Sequence, residues 1–129
     1  MTTDMIMLVA MAIFSVVWPT VYLIGRTQSP GGMQWALGNR DTPLETPAWA
    51  GRAVRAHLNL IENLAPFAIL VLVAQLAGKA NATTALAATV FFWARVAHAF
   101  VYTMGIVGLR TALFFVGVAA ELVILMQLF

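Results

Sequence analysis

The chain has 129 residues, of which 62% are hydrophobic and only 9% are charged, and its formal net charge is +2. A soluble domain carries about 25% charged residues, so this composition indicates a single integral membrane domain over residues 1–129. The small and dispersed positive charge argues against nucleic acid as a partner. Cysteine is absent, which excludes disulfides, thiolate metal sites and a cysteine nucleophile.

Four apolar segments are long enough to cross a bilayer, and they predict an all-α, four-helix membrane bundle. The first segment has no basic region before it and is too long for a cleaved signal peptide. Pro19 is expected to kink its last turn. The four predicted spans are Met5–Ile24, Pro47–Leu76, Asn81–Met104 and Leu109–Phe129.

Local signals place the ends of the second and third spans. Thr46 is expected to cap the second span, with Pro47 at the first helical position. Asn81 is a candidate cap for the third span and Gly105 a stop. The connection 25–46 is rich in Gly, Pro and polar residues, so it predicts an ordered loop with little secondary structure. The other two connections are short, which makes successive helices antiparallel neighbours.

Positive charges set the expected orientation. Arg26, Arg40, Arg52 and Arg110 lie in or beside the first and third connections, whereas only Lys79 marks the second. Both termini are therefore predicted to be non-cytoplasmic. Counted from the cytoplasmic ends at about 1.5 Å per residue, Glu62, Arg95 and Glu121 lie roughly 15–20 Å deep, whereas Arg55 is nearer the surface.

A polar stripe follows one side of the second span. At about 100° per residue, Arg52, Arg55, Asn59 and Glu62 share a narrow face, and His57 points to nearly the opposite side. Charged groups within a span are expensive and often mark function, so this stripe could hold a zwitterionic ligand. The alternative is a structural network in which Arg55 and Glu62 pair and lock the bundle.

A second set of polar residues occupies the third span. Arg95, His98 and Tyr102 have the spacing i, i+3, i+7 and share one helical face. Arginine offers a planar fork to a carboxylate, and tyrosine offers a hydroxyl. Tyr102 could instead be an interfacial aromatic residue, and His98 a helix-packing one. Glu121 is expected to be a buried partner of Arg95 or of another helix. The spacing of His57 and His98 is not that of a metal site, and no metal is expected.

Arg110 stands near the start of the fourth span, where a cation is unfavourable because the helix dipole is already positive. This placement is reasonable if an anion binds there, and a thiol in such a place would be shifted toward its thiolate. Thr111 could add a hydroxyl donor. The alternative is that Arg110 only marks the cytoplasmic side.

Two separated motifs resemble a known family. Residues Arg55–Phe67 resemble the second-helix signature of the membrane-associated proteins in eicosanoid and glutathione metabolism, abbreviated MAPEG. Ala94–Tyr102 with Gly108–Thr111 resembles the third- and fourth-helix segment of the same family. The branch most similar contains the microsomal prostaglandin E synthases and glutathione transferases. In span order and length the resemblance covers nearly the whole chain.

The resemblance implies a homotrimer of four-helix subunits, with glutathione bound between subunits toward the cytoplasm. It implies that Arg110 is the catalytic residue and stabilises the thiolate, that Glu62 lies near the amino group of glutathione, and that His57 and Arg26 come from the neighbouring subunit. The binding residues it implies are Arg26, Arg55, His57, Asn59, Glu62, Arg95, His98 and Tyr102.

The function implied is that of a glutathione-dependent transferase or peroxidase acting on lipophilic small molecules that arrive through the membrane lipids, in a bacterial inner membrane. The chain departs from the family pattern in three places: Asn63 stands where some members have an aromatic residue, Phe114 lacks a hydroxyl found in some relatives, and the stretch 105–108 between the third and fourth helices is short and apolar. One alternative is a non-catalytic binding or regulatory protein on the same scaffold. Another is a small transporter, against which the lack of inverted repeats argues.

Overall fold

The computed structural model describes residues 1–129 and contains only helices. Four of its helical segments are long and apolar enough to cross a membrane, and α1 with α2 forms the first of them. The predicted all-α, four-span fold is therefore confirmed. The helices are α1 Thr3–Val17, α2 Pro19–Thr27, α3 Gly32–Leu37, α4 Ala48–Leu76, α5 Ala82–Met104 and α6 Val107–Met126.

Helix α5 lies at the centre of the bundle, where it packs against α1, α4 and α6. The main apolar core joins these helices, and the rings of Phe67 and Phe91 stack there with centroids 3.9 Å apart. A smaller cluster surrounds Trp18, whose indole Nε1 donates to the Ala53 carbonyl at 3.1 Å. Small residues on α4 and α5 let the helices approach closely there, as is common in membrane bundles.

Both ends of α5 are held as the sequence predicts. The Asn81 side chain accepts hydrogen bonds from the backbone of Thr83 and Thr84, and the Thr84 hydroxyl accepts one from Asn81. Gly105 ends the helix in the left-handed conformation, with φ of 85°. Arg52 adds an unpredicted contact, because its Nε donates to the Thr103 carbonyl at 2.8 Å. A cation at a helix C-terminus complements the negative end of the dipole.

The first span is interrupted at Pro19, where α1 ends at Val17 and α2 begins, and this interruption accounts for a contact of His57. Pro19 has no N–H, so the carbonyl of Ser15 loses its intrahelical donor. The His57 Nε2 atom lies 3.0 Å from that oxygen, and its Nδ1 lies 3.1 Å from the hydroxyl of Tyr22. Because a carbonyl only accepts, Nε2 carries the proton, and in the neutral ring Tyr22 donates to Nδ1. His57 thus faces α1 and α2, on the side opposite to Arg55, as predicted.

Several helix ends differ from the predicted ones. The first span continues to Thr27 instead of ending at Ile24, and α6 begins two residues earlier than predicted, at Val107. The predicted Thr46 cap is one residue off. Pro47 is the residue before the first helical one, because its ψ of 143° is extended and Ala48 begins α4.

The first connection is more ordered than its composition indicates, since it contains the short helix α3. Gly31 turns the chain with φ of 71°. Gly32 then lies directly against the Arg26 carbonyl, where an added Cβ would come within 1.8 Å of the oxygen. The expectation of little secondary structure is therefore wrong for this segment. Its polar composition predicts a loop, but the close contact between Gly32 and the Arg26 carbonyl holds the turn that begins α3.

Candidate functional site

A cavity of about 270 Å³ opens between α4, α5 and α6, and we call it the Arg110 cavity. It brings together four residues that the sequence singled out on three different helices: Asn59, His98, Tyr102 and Arg110. The full lining is Asn59, His98, Tyr102, Arg110, Thr111, Phe114 and Phe115.

Arg110 is positioned by the first turn of α6. The centre of its guanidinium lies 4.5 Å from the ring centroid of Tyr102. No side chain caps this helix N-terminus, so the first backbone amides before Arg110 have no intrahelical acceptor. The guanidinium and the free amides both place positive charge at the edge of the cavity.

His98 and Tyr102 form one wall of the cavity, as their shared helical face indicates. Their rings meet edge to face with centroids 5.6 Å apart. His98 is buried, and its ring centroid lies 6.5 Å from that of Phe114 on α6. These contacts fix the aromatic wall, whereas Phe115 beside it is 63% exposed.

Arg95 lies behind the cavity and does not line it. Its side chain is 1% exposed, and Nη2 donates to the Asn59 backbone oxygen at 3.0 Å and to Asn59 Oδ1 at 2.5 Å. Gly117 makes room for it, since a Cβ added there would lie 3.2 Å from Arg95 Cδ. The observed contact of Arg95 is therefore with Asn59, the one residue of α4 that lines the cavity.

The expected direct pairing of Arg95 with Glu121 is not present. Nε and Nη1 of Arg95 and Oε1 of Glu121 are buried and have no hydrogen-bond partner. The remaining nitrogen of Arg95 is engaged by Asn59. The prediction was wrong because helix positions give the side on which a group lies but not which neighbour its atoms reach.

Two further arginines of the predicted site share a second cavity, of about 230 Å³. Arg26 comes from the end of α2, and Arg55 lies on α4 one turn before Asn59. None of the residues lining this cavity is acidic. It can therefore accept an anionic group, and Arg55 places it one turn of α4 from Asn59 of the Arg110 cavity.

The last two predicted residues lie outside both cavities. Glu62 is exposed on the surface of the single chain, in the middle of a helix of 29 residues. Both ring nitrogens of His57 are engaged within the chain. Sequence reasoning missed Phe115 as a cavity residue, and the only signal for it was its position next to Phe114.

Four spans and a cavity that brings cationic, aromatic and amide groups together define a multi-pass helical membrane protein with a polar site between its helices. The MAPEG family model matches residues 5–129, and the chain belongs to this family. Its members are membrane proteins of glutathione transferase or eicosanoid type and generally depend on glutathione. No curated protein and no solved structure matches the chain significantly.

Proposed function

We propose that the protein is a membrane-bound, glutathione-dependent transferase or peroxidase that acts on lipophilic electrophiles at the Arg110 cavity. The observation that carries this proposal is the position of Arg110. Its guanidinium lies over Tyr102 at the uncapped start of α6, beside a cavity that also has apolar walls.

The charges of the two cavities fit glutathione. The tripeptide has two carboxylates and an ammonium group besides its thiol. Arg26 and Arg55 face one cavity, and arginine forks suit carboxylates. Glu62, two turns beyond Arg55 on the same face of α4, is the proposed partner of the ammonium group. Asn59 and His98, which line the Arg110 cavity, are proposed to contact the peptide between these ends.

At the thiol end, Arg110 and the free amides of α6 favour the thiolate over the thiol. Tyr102 and Thr111 carry hydroxyls at the same cavity. In the reaction a bond forms between sulfur and the electrophilic atom, the leaving group takes its electron pair, and the thiol proton passes to solvent. Phe114 and Phe115 offer an apolar surface for the electrophile, and the exposure of Phe115 opens that surface to the bilayer.

The exposed stripe of α4 supports an oligomer, which we propose to be a homotrimer. Arg55 and Glu62 are exposed in the single chain, and charges facing lipid are costly. A neighbouring subunit would cover them and complete the site. The contribution of Arg26 and His57 from a neighbouring subunit stays a prediction, since both already have contacts within one chain. The proposed topology has the Arg110 end in the cytoplasm and both termini outside, in a bacterial inner membrane.

The test is an ultraviolet difference titration of the detergent-purified protein with glutathione, following thiolate absorbance near neutral pH. We expect a saturable signal that Arg110→Ala abolishes. Lys79→Ala is the control, because it also removes one cation but from an exposed position at the opposite end of the bundle. Binding of glutathione without a thiolate signal, in a folded oligomer, would instead support the non-catalytic binding protein.

A further inference from the structure

Two arginines lie close to the ring of a tryptophan just beyond the end of the first candidate span. The guanidinium centres of Arg26 and Arg40 lie 5.3 Å and 5.4 Å from the ring centroid of Trp35. Arg26 also lies 4.8 Å from the ring of Tyr22. We call Arg26, Trp35 and Arg40 the Trp35 clamp.

Several contacts within the chain hold the three residues of the Trp35 clamp in place. The indole Nε1 donates to the Thr42 carbonyl at 2.6 Å, and Arg40 Nη2 donates to the Ala36 carbonyl at 3.1 Å. The close approach of Gly32 to the Arg26 carbonyl holds α3 against the end of α2. Arg40 itself has a φ of 62°, which few residues other than glycine adopt. The spacing of the two cations is thus set by the fold.

A cavity of about 250 Å³ lies beside the clamp, and its lining combines the two arginines with apolar side chains of α2. Its charged lining residues are Arg26 and Arg40, and none is acidic. Pro19 and Leu23 extend the lining back along α2 toward the membrane interior. Because α2 is the last part of the first candidate span and α3 lies beyond that span, we expect the cavity to lie near the membrane surface.

We propose that this cavity binds the phosphate headgroup of an anionic phospholipid. Arginine forks bind phosphate oxygens in pairs, and tryptophan favours the headgroup region. The glycerol and the first acyl carbons of the lipid would lie against Leu23 and Pro19. A soluble phosphate would use the cations but leave Pro19 and Leu23 without a partner, so the composition of the lining favours the lipid.

The proposal does not depend on the proposed enzymatic activity. Arg26 is shared with the cavity that contains Arg55, so the test uses Arg40, which has no part in the proposed glutathione site. Arg40 is exposed, and its replacement leaves the bundle core intact.

The experiment is native mass spectrometry of the delipidated protein titrated with phosphatidylglycerol or phosphatidylcholine of equal chain length. We expect the unchanged protein to prefer phosphatidylglycerol. Arg40→Gln should bind it about fivefold more weakly, the effect of about one cation near an anionic lipid. Arg40→Lys should retain part of the affinity, because it keeps the charge but loses the fork. Lys79→Gln, which removes one cation at the other end, should bind like the unchanged protein.

Three results would overturn the proposal: equal binding of both lipids, an equal loss in Arg40→Gln and Lys79→Gln, or full displacement of phosphatidylglycerol by millimolar inorganic phosphate. The last of these would indicate a free-phosphate site.

A second measurement, based on tryptophan fluorescence, leaves the arginines unchanged. Brominated phosphatidylglycerol should quench tryptophan fluorescence more than brominated phosphatidylcholine, and Trp35→Phe should remove that difference. The thiolate titration described above reports separately on glutathione.

Discussion

Arg95 and Arg110 are the same residue type on neighbouring helices, and they have opposite environments. Arg95 is 1% exposed and its hydrogen bonds go to Asn59. Arg110 is half-buried at the edge of a cavity and lies over the ring of Tyr102. A buried arginine must find its partners within the protein, whereas one at a cavity can offer its donors to a ligand. We therefore expect Arg95 to stabilise the folded bundle and Arg110 to stabilise a bound anion, and each expectation can be tested.

The largest effect is expected for Arg95→Ala. The substitution removes the donor to Asn59 and leaves Glu121 buried without a cation nearby, so it should lower the free energy of unfolding by about 3–5 kcal/mol. Unfolding in mixed detergent micelles measures this loss against Lys79→Ala. A stable Arg95→Ala protein that only loses glutathione affinity would place Arg95 in the binding site and not behind it.

Arg110→Ala should lower turnover strongly and leave the stability of the protein nearly unchanged, the reverse of the effect expected for Arg95→Ala. Turnover should fall about 100- to 1000-fold, which corresponds to roughly 2.7–4 kcal/mol of lost anion stabilisation, while the free energy of unfolding changes little. Steady-state kinetics with a hydrophobic electrophile measures the first quantity, and the micelle unfolding assay measures the second. Unchanged turnover in a folded Arg110→Ala oligomer would contradict the proposed mechanism.

Glu121→Gln tests whether the carboxylate of Glu121 stabilises the guanidinium nitrogens of Arg95 that have no hydrogen-bond partner. Glu121 Oε1 and two guanidinium nitrogens of Arg95 are buried without hydrogen-bond partners on two helices that pack together. If the two charges stabilise each other, replacing the carboxylate by the amide of similar shape should cost about 1–3 kcal/mol of stability. A double-mutant cycle with Arg95→Ala measures the coupling between the two residues. Additive effects would show that the two charges do not interact.

Arg52→Leu should have the smallest effect of the four. It removes the hydrogen bond from Nε to the Thr103 carbonyl at the end of α5, which should cost about 1 kcal/mol. Thermal unfolding reports the change, and glutathione binding should stay the same. A large loss of glutathione affinity would show that Arg52 belongs to the ligand site with Arg55, as their shared stripe on α4 allows.

Much of the fold could be predicted from the sequence because lipid imposes strict local rules. Four apolar runs become four spans, since each backbone polar group in a bilayer must be bonded within a helix. Asn81 and Gly105 end α5 through contacts with their immediate neighbours, which spacing alone reveals. The helical turn also places His98 beside Tyr102 and turns His57 away from Arg55.

The side-chain contacts between helices could not be predicted, because they depend on which helices pack together and at what relative height. Apolar length and helical periodicity are enough to predict the spans, their polar faces and the residue types of the candidate site. They do not predict that Arg95 reaches Asn59 and not Glu121, that His57 supplies the donor missing at Pro19, or that two arginines lie close to Trp35. The physical reason is the separation of the contacting residues along the sequence. Turns and caps join residues a few positions apart, whereas these contacts join different helices or a helix to a loop. Their partners are therefore set only when the helices pack together.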